Sequence, residues 1–211
     1  MSVEIMWVGH ASFRLGGQDG VVYIDPWKIS ADLGGDGNVV IVSHDHYDHC
    51  SPDDVGRVSA PGATIVTPPD TAGKFPAAVP LAPGRSATAG GIAIKAVPAY
   101  NVDKQFHPRA NGWIGVVVAL DNTRIYYAGD TDLIDEMSDL EAIDVALLPV
   151  GGTYTMTAAE AAQACERIGC KTAVPYHWGD IVGSADDARA FAGAVSCCEV
   201  NVLPPGGTLA V

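Results

Sequence analysis

The chain has 211 residues, of which 48% are apolar, enough to bury the core of one domain spanning 1–211 with two layers of sheet. Acidic residues outnumber basic ones 25 to 12, and the net charge of −13 excludes partners held through phosphate backbones or anionic membrane surfaces. No basic segment is followed by an apolar stretch in the manner of a leader, and no apolar run is long enough for a membrane helix, so a cytoplasmic protein is expected.

The first elements read as strands over residues 3–8 and 11–15, with His10 between them as a candidate pocket residue. A glycine turn leads to a strand over 21–24 that ends in Asp25, which either caps a turn or orients a nearby histidine. The apolar run 39–42 is a short buried strand, and it releases Ser43-His44-Asp45-His46-Tyr47-Asp48-His49. Three histidines and two aspartates within six positions form a metal-ligand pattern, because imidazole and carboxylate are the common donors to Zn, Mn and Fe. His44 and His46 are two apart, so an extended backbone turns both rings to one side. Ser51 and Pro52 open a helix. A strand at 63–67, a short helix after Pro68-Pro69-Asp70, and a strand–turn–strand over 89–97 follow.

The segment 97–108 holds Asn101, Lys104 and His107, with Lys104 a candidate contact for an anionic substrate. Strands at 113–120 and 123–128 flank the turn Asp121-Asn122, and the second ends at Gly129-Asp130 before a helix expected near 132–140. A buried strand over 143–150 leads into the loop with Thr153 and Tyr154, candidates for holding a substrate oxyanion. Thr157-x-x-Glu160 is a capping box for a helix ended by Gly169. A strand at 172–175 precedes His177; a helix over 184–195 and strands at 199–203 and 208–211 complete the chain. The five cysteines (50, 165, 170, 197 and 198) lack the spacing of metal ligands and read as reduced thiols, with Cys50 a packed residue beside His49.

The motif His44-x-His46-x-Asp48-His49, followed by Ala128-Gly129-Asp130 and by His177 after a strand, resembles the metallo-β-lactamase superfamily over about residues 3–203. Gly9-His10-Ala11-Ser12-Phe13 and the short length resemble its compact subgroup, which includes L-ascorbate-6-phosphate lactonase and predicted Zn-dependent hydrolases. The resemblance implies an α/β (α+β) fold, the four-layer αββα sandwich. It implies a first metal at His44, His46 and Asp130, and a second at Asp48, His49, Asp130 and His177, with Asp25 and Asp45 behind the ligands. Asn101 stands where the superfamily carries a third histidine, and His107 is the alternative donor. The expected cofactor is Zn, one or two ions, with Mn or Fe open. The expected activity is hydrolysis by a metal-bound hydroxide, with Asp48 catalytic, on an ester, lactone or phosphoester of a small, anionic metabolite. A non-catalytic metal- or ligand-binding protein is the alternative. The expected partner is a small molecule, with no nucleic acid and no membrane, and a homo-oligomer is left open.

Overall fold

The computed structural model describes residues 2–211. β1 (Glu4–Gly9), β2 (Ser12–Gly17) and β3 (Gly20–Ile24) form an antiparallel meander; β4 (Gly37–Ile41), β5 (Ser59–Thr67) and β6 (Val79–Pro80) then add in parallel. The second sheet repeats this plan. β7 (Ser86–Ala89), β8 (Ile92–Pro98), β9 (Ile114–Leu120) and β10 (Thr123–Tyr127) are antiparallel, and β11 (Val145–Pro149), β12 (Thr172–Tyr176) and β13 (Glu199–Val200) are parallel. β14 (Gly207–Ala210) returns to the first sheet and pairs antiparallel with β1.

Period-two patterning sorts the side chains. Val39 and Ile41 of β4, with Ile114, Val116 and Val118 of β9 and Ile125 and Tyr127 of β10, fill the space between the sheets. Their alternates pack outward: Val40 and Val42 under α1 (Pro52–Val58), and Val117, Tyr126, Ala146 and Leu148 under α2 (Ala158–Ile168) and α3 (Ala185–Ala194). Helices therefore cover both outer faces, giving the αββα order. No helix among the described residues is long and apolar enough to cross a membrane.

Two helix expectations are corrected. The segment 132–140 forms only a 3-10 turn, Asp135–Asp139, whose leading residue Ile134 has no side chain to cap it. Asp132, the residue that could have capped it, is bonded instead to Val102 N and Asn101 Nδ2. The helix expected after Asp70 is likewise a 3-10 turn, Ala72–Lys74, without a side-chain cap.

Candidate metal centre

Five strand ends meet at one rim of the sandwich. β1 delivers His10, β3 delivers Asp25, β4 the segment from Ser43 to His49, β10 Asp130 and β12 His177. Ligand groups gather at the carboxyl ends of strands because the chain there leaves the ladder and is free to turn. Three of these residues hold a left-handed backbone without being glycine: His10 (φ 48), Asp25 (φ 45) and His177 (φ 63). Such strain persists only where the surroundings enforce it. At His177 the enforcement is visible, since its N–H donates to His10 O at 3.0 Å, the carbonyl that also accepts from Trp7 Nε1.

Asp25 sets the tautomers of two histidines. Its Oδ2 lies 2.7 Å from His49 Nδ1 and accepts from Ser43 Oγ and Tyr127 OH, while Oδ1 accepts from Ser43 N. Because the Ser43 hydroxyl donates to Asp25, it accepts from His44 Nδ1–H at 2.9 Å. His44 thus carries its proton on Nδ1 and leaves Nε2 bare, and His49 likewise presents Nδ1–H to Asp25 and turns Nε2 toward Asp130. Asn101 does the same for a third ring. Its Oδ1 accepts from His107 N at 2.9 Å and from His107 Nδ1 at 3.1 Å, and its Nδ2 is bonded to Asp132 and to Tyr154 O.

Two groups of donor atoms result. His44, His46 and His107 have ring nitrogens within 4.8 Å of one another, and so do His10, His49 and His177 together with a carboxylate oxygen of Asp48. Asp130 stands between them, with Oδ2 3.3 Å from His107 Nε2 and 3.2 Å from His177 Nε2, and Oδ1 3.4 Å from His49 Nε2. Gly129 makes this placement feasible: its φ is +71°, and a Cβ there would sit 2.8 Å from Ile114 O. In the second group His10 Nε2 bonds Asp48 Oδ2 at 2.9 Å.

Electrostatics separates the roles. Burial, reinforced by His49, holds His44 well below the usual imidazole range, and burial with His107 lowers His46. Burial would lower His49 too, but the Asp130 and Asp25 carboxylates outweigh it and hold His49 well above that range. Burial would raise Asp130, yet His177 and His49 keep it well below the carboxylate range. Asp48 is lowered as well, burial being offset by the His10 hydrogen bond and the charge of His49. The donor set fits a divalent cation. His49 Nε2, His107 Nε2, His177 Nε2 and Asp130 Oδ1 are buried atoms without a hydrogen-bond partner, an arrangement that an ion would satisfy and that a sealed protein core does not tolerate.

The centre opens into a cleft of about 210 Å³, with His46, Asp48, His107, Asp130 and His177 at its base and Tyr47, Phe106, Tyr154 and Ile181 around it. Among the described residues no Lys or Arg lines it. Lys104, expected at the substrate, is tied to Asp132 at 2.5 Å, and Thr153 lies outside the lining. Asp45 pairs with Lys74 on the surface and touches no histidine. Cys50 is packed in the small core under α1, its thiol pushed up to about 11 by burial.

The description "Beta-lactamase superfamily domain" fits residues 4–177. The chain belongs to the β-lactamase superfamily. Within it, the chain is 31% identical to a "UPF0173 metal-dependent hydrolase" of Methanosphaerula palustris, over 99% of this chain and 100% of that one. A solved structure from Parabacteroides distasonis superposes with a TM-score of 0.85 at 29% identity, covering 95% of this chain and 92% of the other. A metallo hydrolase from the hyperthermophilic archaeon Ignicoccus hospitalis superposes with a TM-score of 0.80 at 26% identity, covering 100% and 99%. Asn101, set against a ligand histidine in the sequence resemblance, holds a defined place in the geometry. The amide orients a histidine six residues later, and His107 brings its own Nε2 to Asp130. The sequence signal for this pairing was only the presence of a second polar residue in the same loop.

Proposed function

We propose that this chain hydrolyses a carbonyl ester or lactone of an uncharged, partly apolar small molecule, using one or two divalent ions held by the histidine–aspartate centre. Its full-length relatives are metal-dependent hydrolases, and this chain is one as well. The observation that carries the reading is Asp130, placed between two histidine groups whose free nitrogens turn toward its carboxylate. His44, His46 and His107 would hold one ion, and Asp48, His49 and His177 a second, with Asp130 shared. A divalent ion bound there supplies Lewis acidity, lowering the pKa of a coordinated water toward about 7 and polarising a carbonyl oxygen.

The remaining work falls to side chains. His10 fixes Asp48 through Oδ2 at 2.9 Å, so the other carboxylate oxygen is left to accept a proton from the attacking water and return it to the leaving alkoxide. Burial is outweighed at Asp48 by the His10 hydrogen bond and the charge of His49, so it is ionised at neutral pH with its basicity reduced. Phe106 and Tyr154, in edge contact at 4.7 Å between ring centroids, give an apolar wall for the acyl or alkyl group. Apart from the ions themselves, no cation among the described residues lines the cleft, Lys104 being held by Asp132 and Arg109 by Glu136, and the apolar wall favours an uncharged substrate over the anionic one expected from sequence.

The test is hydrolysis of a panel of neutral aryl esters, lactones and phosphodiesters, with chelator treatment and with Asp48→Ala and His49→Ala. Activity on esters or lactones, abolished by chelator and by each substitution while the circular dichroism spectrum is kept, is the expected result. A chelator-resistant hydrolysis, or full activity in both variants, would overturn the assignment. Preference for anionic phosphodiesters would overturn the substrate class alone.

A further inference from the structure

Away from the histidine centre, three cysteines that are far apart in the sequence come together. Cys165 lies in the last turn of α2, Cys170 precedes β12, and Cys198 precedes β13. Their sulfur atoms all lie within 4.8 Å of one another, and Cys170 Sγ is 3.8 Å from Cys198 Sγ. The local chain explains the meeting. Gly169 ends α2 in a left-handed conformation (φ +67°), its N–H bonded to Cys165 O, and this reversal brings Cys170 beneath the turn that carries Cys165. Glu199 N donates to Lys171 O and Glu199 pairs with Thr172, which sets Cys198 beside Cys170. The five cysteines are free thiols, as expected from the sequence, and the closeness of these three comes from strand pairing rather than from sequence spacing.

We propose that Cys165, Cys170 and Cys198 form a second, sulfur-only site for a thiophilic d10 cation of the Zn²⁺ or Cd²⁺ class. Sulfurs bound to zinc at about 2.3 Å and arranged as a tetrahedron are separated by roughly 3.8 Å, the spacing of the Cys170–Cys198 pair. Cys165 and Cys170 are buried, while Cys198 is half-buried and gives an entry path. The group is also electronically prepared. The neighbouring Cys165 and Cys198 sulfurs lower the Cys170 thiol to about 7 despite burial. The site is separate from the cleft, because Cys170 and His177 flank opposite ends of β12, roughly 20 Å apart at the rise of an extended strand.

The experiment titrates the reduced protein, loaded at its histidine centre, with Cd²⁺ and follows the near-ultraviolet sulfur-to-cadmium absorption, which nitrogen and oxygen ligands do not produce. The expected result is saturation at one equivalent, protection of three thiols from a thiol reagent, and loss of the signal in Cys170→Ser. Cys198→Ser, at a half-buried position that tolerates the change, should weaken binding at least about tenfold. The absence of the absorption in the folded parent would overturn the site. So would a signal that survives both substitutions, or one that follows Cys50→Ser or Cys197→Ser alone. A Cys170–Cys198 disulfide that persists in the freshly isolated protein would also overturn it, by making the pair a redox couple.

Discussion

Asp25 accepts from Ser43 twice, from Tyr127 and from His49, and through these bonds it fixes two imidazoles at once. Asp25→Asn introduces an N–H where acceptors are required, so metal affinity should fall about 10- to 100-fold with little change in the fold; a competitive titration with a chelating dye measures it. Asn101 and His107 allow a sharper comparison. If Asn101 only orients the ring, Asn101→Ala should weaken one metal equivalent by about tenfold, whereas His107→Ala should remove it in elemental analysis. Equal loss in both variants would make Asn101 itself a ligand. The cluster from His44 to His49 was legible because its chemistry is concentrated in six positions. The pairing of Asn101 with His107 was not, because a hydrogen bond between loop residues leaves no periodic trace.

At the level of elements, the β4 strand could be read from its unbroken apolar run because both its faces are buried, Val39 and Ile41 between the sheets and Val40 and Val42 under α1. The 132–140 segment forms no α-helix, its start being held by Asp132 in the bonds around Asn101 and Lys104. Two substitutions separate scaffold from site. Thr157→Ala removes the capping box of α2 and should cost about 1 kcal/mol in denaturant unfolding with turnover unchanged. Gly129→Ala forces a side chain into a left-handed residue packed 2.8 Å from Ile114 O. It should cost roughly 1–2 kcal/mol or more and weaken metal binding as well, because Asp130 must shift with the backbone. Unchanged metal affinity in a destabilised Gly129→Ala protein would show that the two effects are separable.

For the molecule as a whole, the centre draws His44, His46, Asp48 and His49 from the first sheet's loops and His107, Asp130 and His177 from the second's. A bound ion therefore ties the sheets together. Chelation should lower the melting temperature, by the equivalent of about 2.7 kcal/mol where free metal stood at 100 times its dissociation constant. The metal-free protein should also be sensitive to acid. Burial holds His10, His44 and His46 below the ordinary imidazole value of about 6.5, so as pH falls below it the unfolded chain takes up protons that the folded one refuses, and stability drops. His49 acts in the opposite sense: its contribution is complete below 6.5 and is lost as pH rises through its raised value. Melting temperature against pH, in the parent and in His46→Asn, checks this, with a shallower acid slope expected in the variant. The two-sheet architecture was foreseeable only through the superfamily resemblance, because nothing local tells β12 to pair with β11 or β14 with β1.

That last pairing has a kinetic consequence. Glu4 and Ala210 are cross-strand partners, and Val3 and Val211 exchange both backbone hydrogen bonds at 2.8 and 2.9 Å. The edge that supports β1, and with it His10, is thus closed by residues from the opposite end of the sequence. Closing so long a loop is slow, since its entropy must be lost before any contact repays it. During refolding, the second sheet and the β1–β5 region are expected to gain amide protection first, and Gly207 to Ala210, with the β1 amides bonded to them, last.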